Sequence, residues 1–122
     1  MSDSTECILI VDDEPDMCWA LEHILSKSGY VTQKALTGEE ALRLMRELRF
    51  RAVLLDAKLQ DMDGLEVARS LRLLDPQIRI IMVSGYFLRD DLGIQKALSR
   101  GLIHGFISKP FLQDEILQAL QK

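Results

Sequence analysis

Ala52-Val53-Leu54-Leu55 is a continuous apolar run that stops abruptly at a carboxylate, Asp56. A strand with one wet face alternates apolar and polar side chains. An unbroken run instead calls for burial on both faces, as in a parallel sheet covered by helices. Two more stretches repeat the arrangement, Ile8 to Val11 before Asp12-Asp13 and Ile80 to Val83 before Ser84. Taken alone, Asp56 reads first as a capping or turn aspartate. The recurrence places it at the carboxyl end of a strand, where open α/β sheets form their ligand crevices.

The rest of the chain supplies the covering helices. Cys7 to Val11 is the first strand, and Pro15 suits the first helical turn behind it. Asp13, Glu14 and Asp16 complement the positive end of that helix. Met17, Leu21, Ile24, Leu25 and Ser28 share one face, Trp19 lies opposite as a surface residue or contact point, and Gly29 is the stop. Tyr30 to Leu36 is more polar and suits a sheet edge. Thr37 then caps a helix whose expected inward face is Ala41, Leu42, Met45 and Leu48. Asp63 caps Gly64 to Leu74, and Pro76 separates that helix from a fourth strand, Ile78 to Val83. Residues 86–101 carry Tyr86, Phe87 and Leu88, then Arg89-Asp90-Asp91, then a helix closed by Gly101. Gly93 makes that helix the least stable of the set. Leu102 to Ser108 reads as the fifth strand and Leu112 to Lys122 as the last helix, with Ile116, Leu117 and Leu120 inward.

Five strands alternating with five helices predict an α/β fold, a five-stranded parallel sheet in one domain spanning 1–122. The expected form is flavodoxin-like, doubly wound (βα)5 with strand order 2-1-3-4-5. A chain of 122 residues is long enough to bury a respectable core. Its 15 basic against 19 acidic residues give a formal charge of −4 and no basic run, so direct binding to nucleic acid is not expected. Cys7 and Cys18 lack metal-ligand spacing and read as thiols in a reducing compartment. Met1-Ser2-Asp3-Ser4-Thr5 is polar and acidic, unlike a signal peptide, and no apolar stretch approaches membrane-spanning length. A cytoplasmic location without membrane contact is expected.

Under the 2-1-3-4-5 order, right-handed crossovers bring Asp12, Asp13 and Asp56 together at the switch point, with Ser84 and Lys109 along the same rim. Clustered carboxylates repel and hold protons unless a cation neutralises them. Oxygen donors without histidine or cysteine at ligand spacing favour magnesium, or manganese, over zinc. A magnesium ion with open positions, a lysine ammonium and a serine hydroxyl would cradle a PO3 group. Asp56, at the centre, is then the natural nucleophile for an aspartyl phosphate.

Val11-Asp12-Asp13-Glu14-Pro15, Leu54-Leu55-Asp56 with Asp61-Met62-Asp63-Gly64, Val83-Ser84-Gly85 and Phe106-Ile107-Ser108-Lys109-Pro110-Phe111 resemble the motifs of response-regulator receiver domains. The resemblance covers essentially the whole chain, and the flavodoxin-like strand order 2-1-3-4-5 expected above rests partly on it. It implies that Asp56 takes a phosphoryl group from a histidine kinase or a small phosphodonor. Magnesium would be held by Asp12, Asp13, Asp56 and the backbone carbonyl of Lys58. Lys109 would contact phosphoryl oxygens, Ser84 and Phe106 would form the switch pair, and the Lys109–Pro110 bond would be cis. The only catalysis implied is the domain's own phosphorylation and dephosphorylation. The implied partners are a kinase and an output domain or downstream protein, with possible homodimer formation on phosphorylation. The changing surface would be the fourth helix, fifth strand and fifth helix. Trp19 and the Lys109-Pro110-Phe111 ending are similar to receivers attached to σ54-dependent transcription activators. Three features depart from the family pattern: Gln60 where proline is frequent, Lys58 beside the acceptor, and a longer interval from Ser84 to Lys109.

Three other readings compete. A dehalogenase-type metal-dependent phosphatase also uses a strand-end aspartate, but wants a second carboxylate where Lys58 stands. A flavodoxin-like FMN carrier needs a Ser/Thr/Gly-rich phosphate loop where Asp12-Asp13-Glu14 would repel phosphate. A phosphorylation-independent pseudo-receiver would bind proteins only, and departures at Asp12, Asp13, Asp56 or Lys109 would favour it.

Overall fold

The computed structural model describes residues 7–85 and 91–121. Met1-Ser2-Asp3-Ser4-Thr5 and the segment Tyr86 to Asp90, read above from sequence, lie outside the described residues. Strands and helices alternate as β1 (Cys7–Val11), α1 (Pro15–Lys27), β2 (Val31–Ala35), α2 (Gly38–Glu47), β3 (Ala52–Leu55), α3 (Gly64–Leu74), β4 (Arg79–Ser84), α4 (Leu92–Ser99), β5 (Gly105–Ser108) and α5 (Gln113–Gln121).

The strands form one parallel sheet in the expected order β2-β1-β3-β4-β5. Side chains alternate across it with period two. Leu9, Val11, Val53, Leu55, Ile80, Met82 and Phe106 join the core beneath α2, α3 and α4. Ile8, Ile10, Leu54, Ile81, Val83 and Ile107 join the opposite core with α1 and α5. The unbroken apolar runs are thus explained by burial on both faces. β2, at the edge, buries only Ala35.

The element ends show where local pattern yields to packing. On α1 the deepest residues are Cys18, Leu21 and Leu25, while Met17 and Ile24 are half-buried and Ser28 is an exposed C-cap. On α2, Ala41 and Met45 are buried as expected, Leu42 packs half-buried against the same core, Leu44 is buried beside them, and Leu48, the C-cap, is 44% exposed. β4 begins one residue later than expected, at Arg79, and includes Ser84. β5 is shorter than the run Leu102 to Ser108 suggested. Gly101, at φ +76, turns the chain so that the amides of Leu102 and Ile103 both donate back to the Ala97 carbonyl. Those two residues close α4 and cannot pair with β4.

At the amino edge of the sheet, guanidinium groups fasten loose backbone carbonyls. Arg72 donates to the carbonyls of Ile78 and Pro76, and to that of Leu102 at 2.8 Å, joining α3, the start of β4 and the turn before β5. Arg51 and Arg79 reach the carbonyls of Leu120 and Ala119 at 3.4 and 3.2 Å, at the negative end of α5. His104 extends the β4–β5 ladder by accepting the Ile80 amide on Nδ1 at 3.3 Å.

After β3 the chain folds back so tightly that Gly64 crosses over Asp56. The Gly64 amide donates to the Ala57 carbonyl at 2.8 Å, and a Cβ on Gly64 would fall 2.5 Å from the Asp56 carbonyl oxygen. Backbone atoms cannot step aside as a flexible side chain would. Gly64→Ala should therefore lower stability by about 1–3 kcal/mol, the usual cost of overpacking. Urea denaturation checks this, and an unchanged midpoint would contradict the close approach.

Candidate functional site

Parallel pairing of β1 with β3 assembles the site. The Asp56 amide donates to the Val11 carbonyl at 2.9 Å, and the Asp12 amide to the Ala35 carbonyl at 3.1 Å. Each aspartate thus prolongs the ladder by one bond before its chain turns away. One carboxylate oxygen from each of Asp12, Asp13 and Asp56 lies within 4.8 Å of the others. Asp12 and Asp56 are buried and Asp13 is half-buried.

Lys109 leans in from the end of β5. Its ammonium donates to Asp12 Oδ2 at 2.9 Å and lies 3.9 Å from Asp56 Oδ2. Sequence reasoning missed a third carboxylate, Glu14, at 3.8 Å. The Lys109–Pro110 bond is cis, and the Lys109 amide donates to the Ser84 carbonyl at 3.0 Å. Ser84 is fully buried at the end of β4, in register with Ser108. Phe106 is buried in the core beneath α2, α3 and α4, so its ring belongs to that core. The Lys58 amide donates to Asp56 Oδ1 at 3.4 Å, while its side chain is exposed. The structure thus gathers Asp12, Asp13, Asp56 and Lys109 into one cluster, with Ser84 and Lys58 attached through backbone bonds. Phe106 stands on the neighbouring strand.

Asp12 is fixed from three sides. Its Oδ1 accepts the Glu14 amide at 2.9 Å, its Oδ2 binds Lys109, and its carbonyl accepts the Cys18 thiol at 3.3 Å. The two described cysteines are free. Burial above all, with the Asp12 charge next, pushes the Cys18 thiol up to about 11, so it is an unreactive structural group. Nothing local in the sequence announces this bond.

Asp56 is pushed up from 3.8 to about 6, chiefly by burial. The charges of Asp12 and Asp13 act in the same direction, against the pull of Lys109 and the Lys58 amide. Burial works against the Lys109 ammonium, but the bond to Asp12 and the nearby carboxylates outweigh it and leave its pKa raised. One ammonium faces three carboxylates, so negative charge remains in excess. Hard oxygen donors at this separation suit a magnesium or manganese ion.

A family model for the response regulator receiver domain matches residues 8–121. The chain belongs to that family. This receiver domain is 38% identical over 117 residues to sporulation initiation phosphotransferase F of Bacillus subtilis (strain 168), covering 96% of the chain and 92% of that protein. It superposes with TM-score 0.87 and 30% identity on a CheY-like receiver domain protein from Methanospirillum hungatei JF-1, covering 95% and 90% of the two chains. Response regulator protein TrrA from Thermotoga maritima, solved in complex with Mg(2+)-BeF, matches with TM-score 0.82 and 30% identity over 95% and 96%. Receiver domains are components of two-component response regulators and bind Mg2+. Among the described residues no helix is long and apolar enough to cross a membrane.

The raised Asp56 has a consequence for stability in metal-free buffer. A carboxyl that holds its proton more tightly when folded stabilises the fold fully below about pH 4, and that contribution is lost as pH rises through about 6. Asp56→Asn should match the parent below pH 4. Above pH 6 it should be more stable by about 1 kcal/mol, after discounting for solvent screening. Thermal unfolding across pH with a chelator present checks the sign. A variant less stable at pH 7 would show that the ionised Asp56 is a net support.

Proposed function

We propose that this receiver domain accepts a phosphoryl group on Asp56, from a histidine kinase phosphohistidine or a small phosphodonor, in a magnesium-dependent reaction. The observation that carries the reading is the convergence of buried Asp56 with Asp12, Asp13 and Lys109 at one sheet edge. The proposed unit spans 1–122, and its catalysis is confined to its own phosphorylation and dephosphorylation. Its two free thiols suit a reducing cytoplasm.

The chemistry follows from the groups present. An ionised Asp56 oxygen attacks phosphorus while the P–N bond of the phosphohistidine, or the P–O bond of acetyl phosphate, breaks. The imidazole or acetate leaves with the electron pair, and Asp56 becomes an acyl phosphate. Asp12, Asp13, Asp56 and the Lys58 carbonyl would hold magnesium, with manganese as a substitute. Bound there, the ion supplies charge neutralisation for the phosphoryl oxygens. The Mg(2+)-BeF complex of the related TrrA supports this assignment. Lys109 already stands 3.9 Å from the Asp56 oxygen and can transfer its hydrogen bonding from Asp12 to the incoming group. Ser84, whose backbone is tied to that of Lys109, offers its hydroxyl once the group has arrived.

The signal would then pass along β4 to β5. Inward movement of Ser84 and Gly85 makes room beside β5, and Phe106 occupies it. A phenyl ring carries no hydroxyl, so its burial leaves no polar group unsatisfied and an outward ring gains no hydrogen bond. The buried ring therefore fits an inward state already populated without phosphate, which phosphorylation enriches. The fourth helix, β5 and α5 form the surface offered to an output domain, a downstream protein or a second copy of the chain.

Acetyl phosphate with magnesium should add one phosphoryl group by intact mass, and Asp56→Ala should take up none. Full labelling of that variant would move the acceptor elsewhere. Relaxation-dispersion NMR on the unphosphorylated protein should detect μs–ms exchange across residues 84–85 and 91–108. Flat profiles there, with no chemical-shift change on phosphorylation, would rule out the Phe106 switch.

A further inference from the structure

Asp61 reaches from the loop after β3 to the amino end of α2. Its Oδ1 accepts the Gly38 amide at 2.8 Å and its Oδ2 the Glu39 amide at 3.0 Å. These are two of the four amides that a helix start leaves without an internal partner. Thr37, the local cap, takes the Glu40 amide at 3.1 Å. Half the capping of α2 thus comes from a residue 22 to 23 positions further on. The two bonds, that from Gly38 foremost, hold the Asp61 carboxyl below its usual range. Loop and helix also touch: a Cβ on Gly38 would fall 2.7 Å from Met62 Sδ.

At its other end the loop is fastened to itself. Leu59 donates to the Met62 carbonyl at 3.2 Å, Lys58 bridges to Asp63, and Asp63 caps α3 by accepting the Leu65 amide at 2.9 Å. Lys58 opens this loop, with its amide on Asp56 Oδ1. Gln60 stands in the same loop without the ring that would fix a proline's φ. An external tether can supply the stiffness that residue 60 does not.

We infer that Asp61 is a positioning residue for the metal site. By holding α2 it fixes the loop that presents the Lys58 carbonyl beside Asp56. The inference rests on the magnesium-dependent reading above and deepens it, since both Asp61 oxygens are engaged by α2 and the carboxylate lies outside the Asp12, Asp13 and Asp56 group. A plain helix cap would behave differently. Its loss would lower stability and leave metal affinity unmoved.

Calorimetric titration of the whole chain with magnesium separates the two roles, alongside hydrogen exchange of the 58–62 amides in metal-free protein. Asp61→Ala should weaken magnesium binding about tenfold, as loss of a group orienting a metal ligand does, and should speed exchange in the loop. Asp61→Asn, which keeps one acceptor oxygen, should recover part of the affinity, and it carries the comparison if Asp61→Ala does not fold. Thr37→Ala strips the other cap from the same helix and should lower Tm with magnesium affinity unchanged. Unchanged affinity on removing the Asp61 carboxylate, or an equal loss in Thr37→Ala, overturns the inference. Acetyl phosphate labelling of the parent chain runs in parallel. A labelled parent with unchanged variant affinity defeats the inference alone, whereas an unlabelled parent defeats the functional reading beneath it.

Discussion

Everything at the site depends on β1 and β3 running parallel and side by side. A parallel pair emerges from the sheet at the same edge, so residues that follow the two strands are forced into company. The backbone bond from Asp56 to Val11 makes that company close. Two buried carboxylates and a half-buried third then share a space with one ammonium. Like charges this near oppose folding, and the apolar cores on both faces offset that opposition. The arrangement gives up stability and gains a pocket of unspent negative charge.

The same winding gives the molecule two unlike ends. Helices that follow strands begin at the carboxyl edge, where their unpaired amides and positive dipole ends face the acidic side chains. Asp12 holds the Glu14 amide at the start of α1, and Asp63 holds the Leu65 amide at the start of α3. At the opposite edge the helices finish, and Arg51, Arg72 and Arg79 collect the carbonyls left there. Acid at one rim and guanidinium at the other are two answers to one question of backbone hydrogen bonding.

Much of this was legible in the sequence because the relevant signals are local. An apolar run ending in a charge gives a buried strand and its carboxyl end, and that is how Asp12, Asp56 and Lys109 were found. The Gly64–Leu74 helix could be bounded closely, since Asp63 before it and Pro76 after it are both local markers. What escaped depends on contacts between distant segments. Leu44 is buried and Leu48 is not because the helix stops at Glu47 and leaves Leu48 as an extended cap, and periodicity alone does not say where a helix stops. The first residues of the expected fifth strand were claimed by the turn at Gly101. Glu14 beside Lys109, Cys18 beneath Asp12 and Asp61 on α2 have no signature short of the folded chain.

Arg72 braces the sheet at its amino edge. One guanidinium grips the start of β4 and the turn entering β5, so those segments cannot slide apart where they begin. At the far end, the bond from Lys109 to the Ser84 carbonyl joins the same two strands just where a phosphoryl group would arrive. If phosphorylation moves β5 against β4, the shift would be smallest near Leu102, where the guanidinium holds both segments, and larger toward Ser108.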